Sequence, residues 1–149
     1  MSAVPFHYVD LRTFCYSTED ENRVETALRT FLPEDTEIER EVTEGHHGDR
    51  ILVLSVRLER ADEVRHVLSK LTELGSFARL LAELEDRIDE NCAFFIQLDK
   101  QEAYRDRVEL GEGLMLRGKV EAYPAKRERA IETAKEALEE LEAESSTDA

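Results

Sequence analysis

Apolar residues recur at two periods along this chain, and the switches between them mark the elements. Over residues 7–16, Val9, Leu11, Thr13 and Cys15 alternate with Tyr8, Asp10, Arg12, Phe14 and Tyr16, which predicts a strand with a polar and aromatic outer face. Val24, Ala27, Leu28 and Phe31 then fall at helical spacing, with Thr18 and Glu21 reading as a capping box and Pro33 as a stop. A polar strand over 36–44, with Ile38 and Val42 on one side, meets the turn Gly45-His-His-Gly48 and returns as a strand over 51–58. Residues 60–74 resume the helical period through Val64, Val67, Leu68, Leu71 and Leu74, with Gly75 placed as a C-terminal cap. A second helix carries Phe77, Leu80, Leu81, Leu84 and Ile88.

The remainder reads as a strand over 92–98, a short helical turn over 100–104 opened by Asp99 and Glu102, and a ragged polar strand near 107–110. After the turn Gly111-Glu-Gly113 comes a strand over 114–122, in which Gly118, Val120 and Ala122 can take the core side while Arg117 and Lys119 point the other way. Pro124 suits the first turn of a final helix reaching about Ala143, because its missing N–H would have no partner there. Tight turns joining strand pairs, with helices interleaved, predict an α+β fold: a mainly antiparallel sheet with helices packed on one face. Its open face would present Tyr8, Arg12, Phe14, Tyr16, Phe95, Gln97, Met115, Arg117 and Lys119. One domain over residues 1–144 is expected, followed by a disordered acidic tail over 145–149.

Length and composition narrow this picture. At 149 residues and 41% hydrophobic, the chain suffices for one domain with a real core. No run approaches the ~20 apolar residues of a membrane span, and the first residues lack a signal-peptide pattern, so no membrane partner and a cytoplasmic location are expected. Cys15 and Cys92 each lie in an alternating run outside any C-x-x-C pair and read as core thiols. Charge changes the picture more. Acidic residues number 35 against 20 basic ones, a net charge of −15. Such self-repulsion is tolerable where molar salt shortens the Debye length to about 3 Å, and together with the excess of arginine over lysine it suggests a halophilic, salt-adapted protein.

Within this acidic chain one stretch is basic. Between Met115 and Arg129, Arg117, Lys119, Lys126, Arg127 and Arg129 face only Glu121 and Glu128. Lysine and arginine near a helix start oppose the helix dipole, a placement that makes sense where an anion is bound. Arg12, Arg117 and Lys119 on an open sheet face, with aromatic rings to stack unpaired bases, suit RNA. Other readings remain. The face can serve a homodimer or another protein partner through Phe14, Tyr16 and Phe95. A metal-dependent nuclease would use Asp99 and Glu102, although both have a simpler task as a helix cap. His46 and His47, beside Glu44 and Asp49, invite a metal, but adjacent turn histidines point apart and no second ligand cluster is visible.

Three strings carry a resemblance: Glu44-Gly-His-His-Gly48, Leu98-Asp-Lys-Gln-Glu-Ala-Tyr104 and Lys119-Val-Glu-Ala-Tyr-Pro-Ala-Lys-Arg127. Together they resemble the archaeal RNA-binding family described as a predicted exosome subunit, over nearly the whole chain. The resemblance implies a fold similar to that of the ribosomal protein that binds 5S RNA, and a non-catalytic role in RNA processing or degradation alongside exosome proteins. The RNA-binding residues expected are then Arg12, His46, Lys100, Arg117, Lys119, Tyr123, Lys126 and Arg127, with no cofactor and no metal. The acid excess and His47 depart from the family's usual pattern.

Overall fold

The computed structural model describes residues 4–147. Five strands form one antiparallel sheet: β1 (Phe6–Cys15), β2 (Glu39–Glu44), β3 (Arg50–Leu58), β4 (Ala93–Asp99) and β5 (Gly113–Val120), in the order β2-β3-β1-β5-β4. The first and last strands are therefore neighbours at its centre, with Leu11 opposite Leu116 and Asp10 opposite Arg117. The helices are α1 (Glu21–Arg29), α2 (Ala61–Leu71), α3 (Phe77–Ala82), α4 (Leu84–Arg87), α5 (Lys100–Tyr104) and α6 (Arg127–Thr147).

Alternation sorts the strands as expected. Val9, Leu11, Thr13 and Cys15 of β1, Leu52, Leu54, Val56 and Leu58 of β3 and Leu114, Leu116 and Val120 of β5 are buried against Val24, Leu28, Val67, Leu68, Ala134 and Leu138 of the helices. Gly118 permits a close approach in this layer: a Cβ there would lie 2.9 Å from the Phe6 ring. Thr13, the one buried polar side chain among the described residues, donates from Oγ1 to the Gly113 carbonyl at 2.6 Å. Cys15 and Cys92 are buried free thiols, and burial pushes the Cys15 thiol above its ordinary range.

Several boundaries differ from the sequence expectation. Asp20, not Thr18, caps α1, its Oδ1 accepting from Asn22 and Arg23 N–H. The carboxylate nearest the first turn wins because it reaches two orphan donors at once. Gly75 is not a left-handed cap; α2 ends earlier, at Thr72 in helical geometry. The single helix expected over 77–88 breaks at Glu83 into α3 and α4. Instead of a strand over 107–110 there is one bridge, Leu110 to Leu98, with Asp99 N–H donating to Glu109 O and Gly111 N–H to Gln97 O. The final helix opens at Arg127 and not at Pro124, which follows a cis peptide after Tyr123. Residues 145–147, expected in a disordered tail, are helical, and the last two tail residues lie outside the described ones.

The break at Glu83 is held by charge. Arg79 Nε donates to its Oε1 at 2.7 Å and Arg87 Nη2 to its Oε2 at 2.8 Å, and these bonds hold the carboxyl below the ordinary glutamate range. A depressed carboxylate stabilises fully above its unfolded pKa and loses that contribution as pH falls through its folded value. The stability difference between the native chain and Glu83→Gln is therefore expected to be constant near neutrality, to shrink once pH falls below the ordinary glutamate value of about 4.3, and to be lost as it passes through the lower folded value. Thermal unfolding of both proteins from pH 7 to pH 3 checks this.

Candidate functional site

The helices leave one sheet face uncovered, and strand register fixes which side chains meet there. One row across the sheet runs Arg57 on β3, Asp10 on β1, Arg117 on β5 and Phe95 on β4. The next runs Glu39, Ser55, Arg12, Met115 and Gln97. Arg12 thus lies diagonal to both Arg57 and Arg117, a separation of about 7–8 Å in an antiparallel sheet. Each guanidinium rides on a ring: Arg57 over Tyr8 at 4.0 Å, Arg12 over Phe14 at 5.2 Å and Arg117 over Phe95 at 5.4 Å. Stacked planar cations keep their forks in place while their N–H groups stay available.

Partners divide these three arginines. Asp10 accepts from Arg57 Nε at 2.7 Å and Nη2 at 2.9 Å, and this carboxylate holds the Arg57 guanidinium above its ordinary pKa. Arg12 and Arg117 have no hydrogen-bond acceptor or carboxylate among the described residues, and the Arg117 Nε is buried without a partner. Most other arginines of the chain pair with a carboxylate. Beside Arg117 the face deepens into a groove of about 990 Å³, where Arg12, Arg87, Arg117 and Arg127 meet the carboxylates of Asp10, Glu85, Asp86, Asp89 and Glu112 beside Phe95 and Met115. Arg87 has a second buried Nε without an acceptor.

The eight residues expected to bind RNA do not form one cluster. Arg12, Arg117 and Lys119 share the open face, Lys119 standing opposite Tyr8 with its Nζ donating to the Asn91 carbonyl. Tyr123, 75% exposed, and the exposed Lys126 lie just beyond the end of β5, on the same side of the sheet's length as Lys119. Arg127 is committed inward: it donates to the backbone carbonyls of Glu85 and of Ile88, the latter at 2.9 Å, and so ties α6 to α4. Lys100, 12% exposed, donates to Phe14 O at 3.0 Å and to Glu19 at 2.8 Å. His46 sits on the β2–β3 turn, exposed beside His47, on the order of 30 Å along the strands from Lys119. Asp99 caps α5 by accepting from Glu102 N–H at 2.9 Å, and Glu102 pairs with Arg105 and Arg107.

Arg57 was the residue that sequence reasoning passed over. Its signal was present, since it shares strand parity with Ile51, Val53 and Ser55, opposite the core-facing Leu52, Leu54, Val56 and Leu58. What sequence does not carry is that β3 pairs with β1, which brings Arg57 to Asp10.

A family model described as RNA binding matches residues 8–120, from the first strand to the end of the last. The chain belongs to this RNA-binding family. An RNA-binding protein of Pyrococcus abyssi is 36% identical over 144 residues, covering 89% of this chain and 94% of that protein. Two solved structures carrying the family label DUF54 have the same fold. The one from Methanothermobacter thermautotrophicus is 43% identical with a TM-score of 0.78, covering 89% of this chain and 98% of its own. The one from Archaeoglobus fulgidus is 35% identical with a TM-score of 0.79, covering 89% and 99%. The α+β fold and its five-stranded antiparallel sheet are thus those of the family's solved members.

Proposed function

We propose that the protein binds RNA on the uncovered face of its sheet, as a non-catalytic platform. One observation carries this reading: in a chain with net charge −15, Arg12 and Arg117 are held on rings and left without an acceptor among the described residues. An acid-rich surface offers carboxylates to most of its arginines, so two donor forks kept free at the centre of an open face await an anion. Guanidinium pairs bidentately with phosphate, and Lys119, Tyr123 and Lys126 extend the surface toward one end of β5. Arg127 and Lys100 support it structurally. Asp99 and Glu102, the candidate nuclease carboxylates, are engaged as a cap and in ion pairs, which favours binding over catalysis.

The sequence resemblance further supports an accessory role in RNA processing or degradation beside exosome proteins and kinship with the ribosomal protein that binds 5S RNA. The double variant Arg12→Ala/Arg117→Ala is expected to weaken RNA binding at least tenfold, since hydrogen bonds to charged groups contribute about 1.5–3 kcal/mol each. Arg60→Ala, at the N-cap of α2 and already paired with Asp62, should leave it unchanged. Fluorescence anisotropy with labelled RNA in high salt checks this, and equal affinity of the double variant and the native chain would remove the platform. Exposed Phe95 and Met115 also suit a homodimer interface. Light scattering with and without RNA separates the two, because a dimer built on this face must dissociate to bind.

A further inference from the structure

A carboxylate at the centre of a phosphate-binding face calls for a reason. Asp10 stands directly opposite Arg117 and two residues from Arg12 on the same strand, in the groove both arginines line. It is locked by Arg57, which is itself stacked on Tyr8 at 4.0 Å. Holding Arg57 uses only part of its capacity: an ionised carboxylate offers about four acceptor sites, and Arg57 occupies two. The Asp10 side chain is 27% exposed, so the others are open to the groove. Phosphate cannot use them, since like charges repel. A hydrogen-bond donor on the same strand can.

Resting on the RNA reading above, we infer that Asp10 accepts a hydrogen bond from a ribose 2′-hydroxyl and so selects RNA over DNA. A strand gripped by neighbouring phosphates on Arg12 and Arg117 must pass the sugar that joins them across the third corner of the triangle, which is Asp10. The 2′-hydroxyl is the one donor on that sugar inside a chain, and it is the group that distinguishes RNA from DNA. Arg57 and Tyr8 keep the carboxylate in place so that no ordering cost falls on binding. The same negative charge disfavours generic polyanions, which present acceptors only.

Anisotropy titrations with three oligonucleotides of one sequence, as RNA, as DNA and as 2′-fluoro RNA, test this in the native chain, Asp10→Ala and Arg57→Ala. The native chain is expected to bind RNA about tenfold more tightly than either analogue, the effect of one charge-assisted hydrogen bond. Asp10→Ala should bring the three affinities together, whatever happens to their common level. Arg57→Ala unlocks the carboxylate and should narrow the ratio, with RNA still bound most tightly. Two results overturn the inference: an unchanged ratio in Asp10→Ala, or native-like binding of 2′-fluoro RNA, which would assign selectivity to sugar pucker. Equal native affinity for RNA and DNA also overturns it while leaving the platform intact. Failure to bind any of the three would instead count against the platform itself.

Discussion

Phe94→Ala is expected to lower folding stability by about 3–5 kcal/mol, the range for truncating a fully buried phenylalanine. Phe94 is wholly buried in β4, meets the Phe6 ring edge-on at 6.4 Å and stands opposite Gly118, whose missing side chain leaves room for that pair. Gly118, its partner across the strand pair, has no side chain with which to fill the space. The loss is large against a total of about 5–15 kcal/mol for a domain. Phe95→Ala, one residue along and 44% exposed on the other face, is expected to shift stability by only about 0.5 kcal/mol. Urea midpoints of the two variants measure the contrast, and equal shifts would mean that the register of β4 is wrong. Because β4 and β5 are paired, that register is also what sets Phe95 beside Arg117.

This contrast shows what was legible in the chain. Period-two alternation separates Phe94 from Phe95, and Leu116 from Arg117, without any knowledge of the partner strand, since adjacent strand residues must face opposite ways. The open-face set, Arg12, Arg117 and Lys119 included, follows from parity alone. Long-range pairing does not. A tight turn announces β2 beside β3, whereas the central place of β1, between β3 and β5, depends on pairings from about forty to more than a hundred residues apart. That is why Arg57 and its lock on Asp10 emerged only from the fold. Helix ends were obscure for a different reason: Thr18, Gly75 and Pro124 each satisfy a general preference, yet local competition decided. Asp20 offered the better cap, Thr72 ended α2 first, and the chain needed residues 121–126 to cross from β5 to the start of α6. The basic residues of that crossing were read as one island, but Arg127 turns inward to α4 and Lys126 outward.

Transfer from molar salt to dilute buffer is expected to cost the protein most or all of its cooperative folding. A net charge of −15 makes about a hundred repulsive pairs. At the roughly 20 Å mean separation of a domain this size, each is worth about 0.2 kcal/mol in water, or on the order of 20 kcal/mol unscreened. The unfolded chain, nearly three times larger in radius, keeps less than half of this, so the difference opposing folding is on the order of 10 kcal/mol, comparable with the whole stability of a domain. At 0.01 M salt the Debye length of about 30 Å leaves this repulsion in force, and at 1 M a length of about 3 Å removes it. The structure concentrates the effect in α6, where Glu136, Glu139, Glu140 and Glu142 are exposed, have no ion-pair partner among the described residues, and repel one another at helical spacing. Circular dichroism during salt dilution should show α6 and then the whole domain losing helix, and full cooperative folding without salt would refute salt adaptation. The same screening weakens counterion release as a source of RNA affinity, so that binding at high salt must rest on direct hydrogen bonds. Under the proposed RNA reading, ring-mounted Arg12 and Arg117, with donors that no carboxylate among the described residues has claimed, suit that condition.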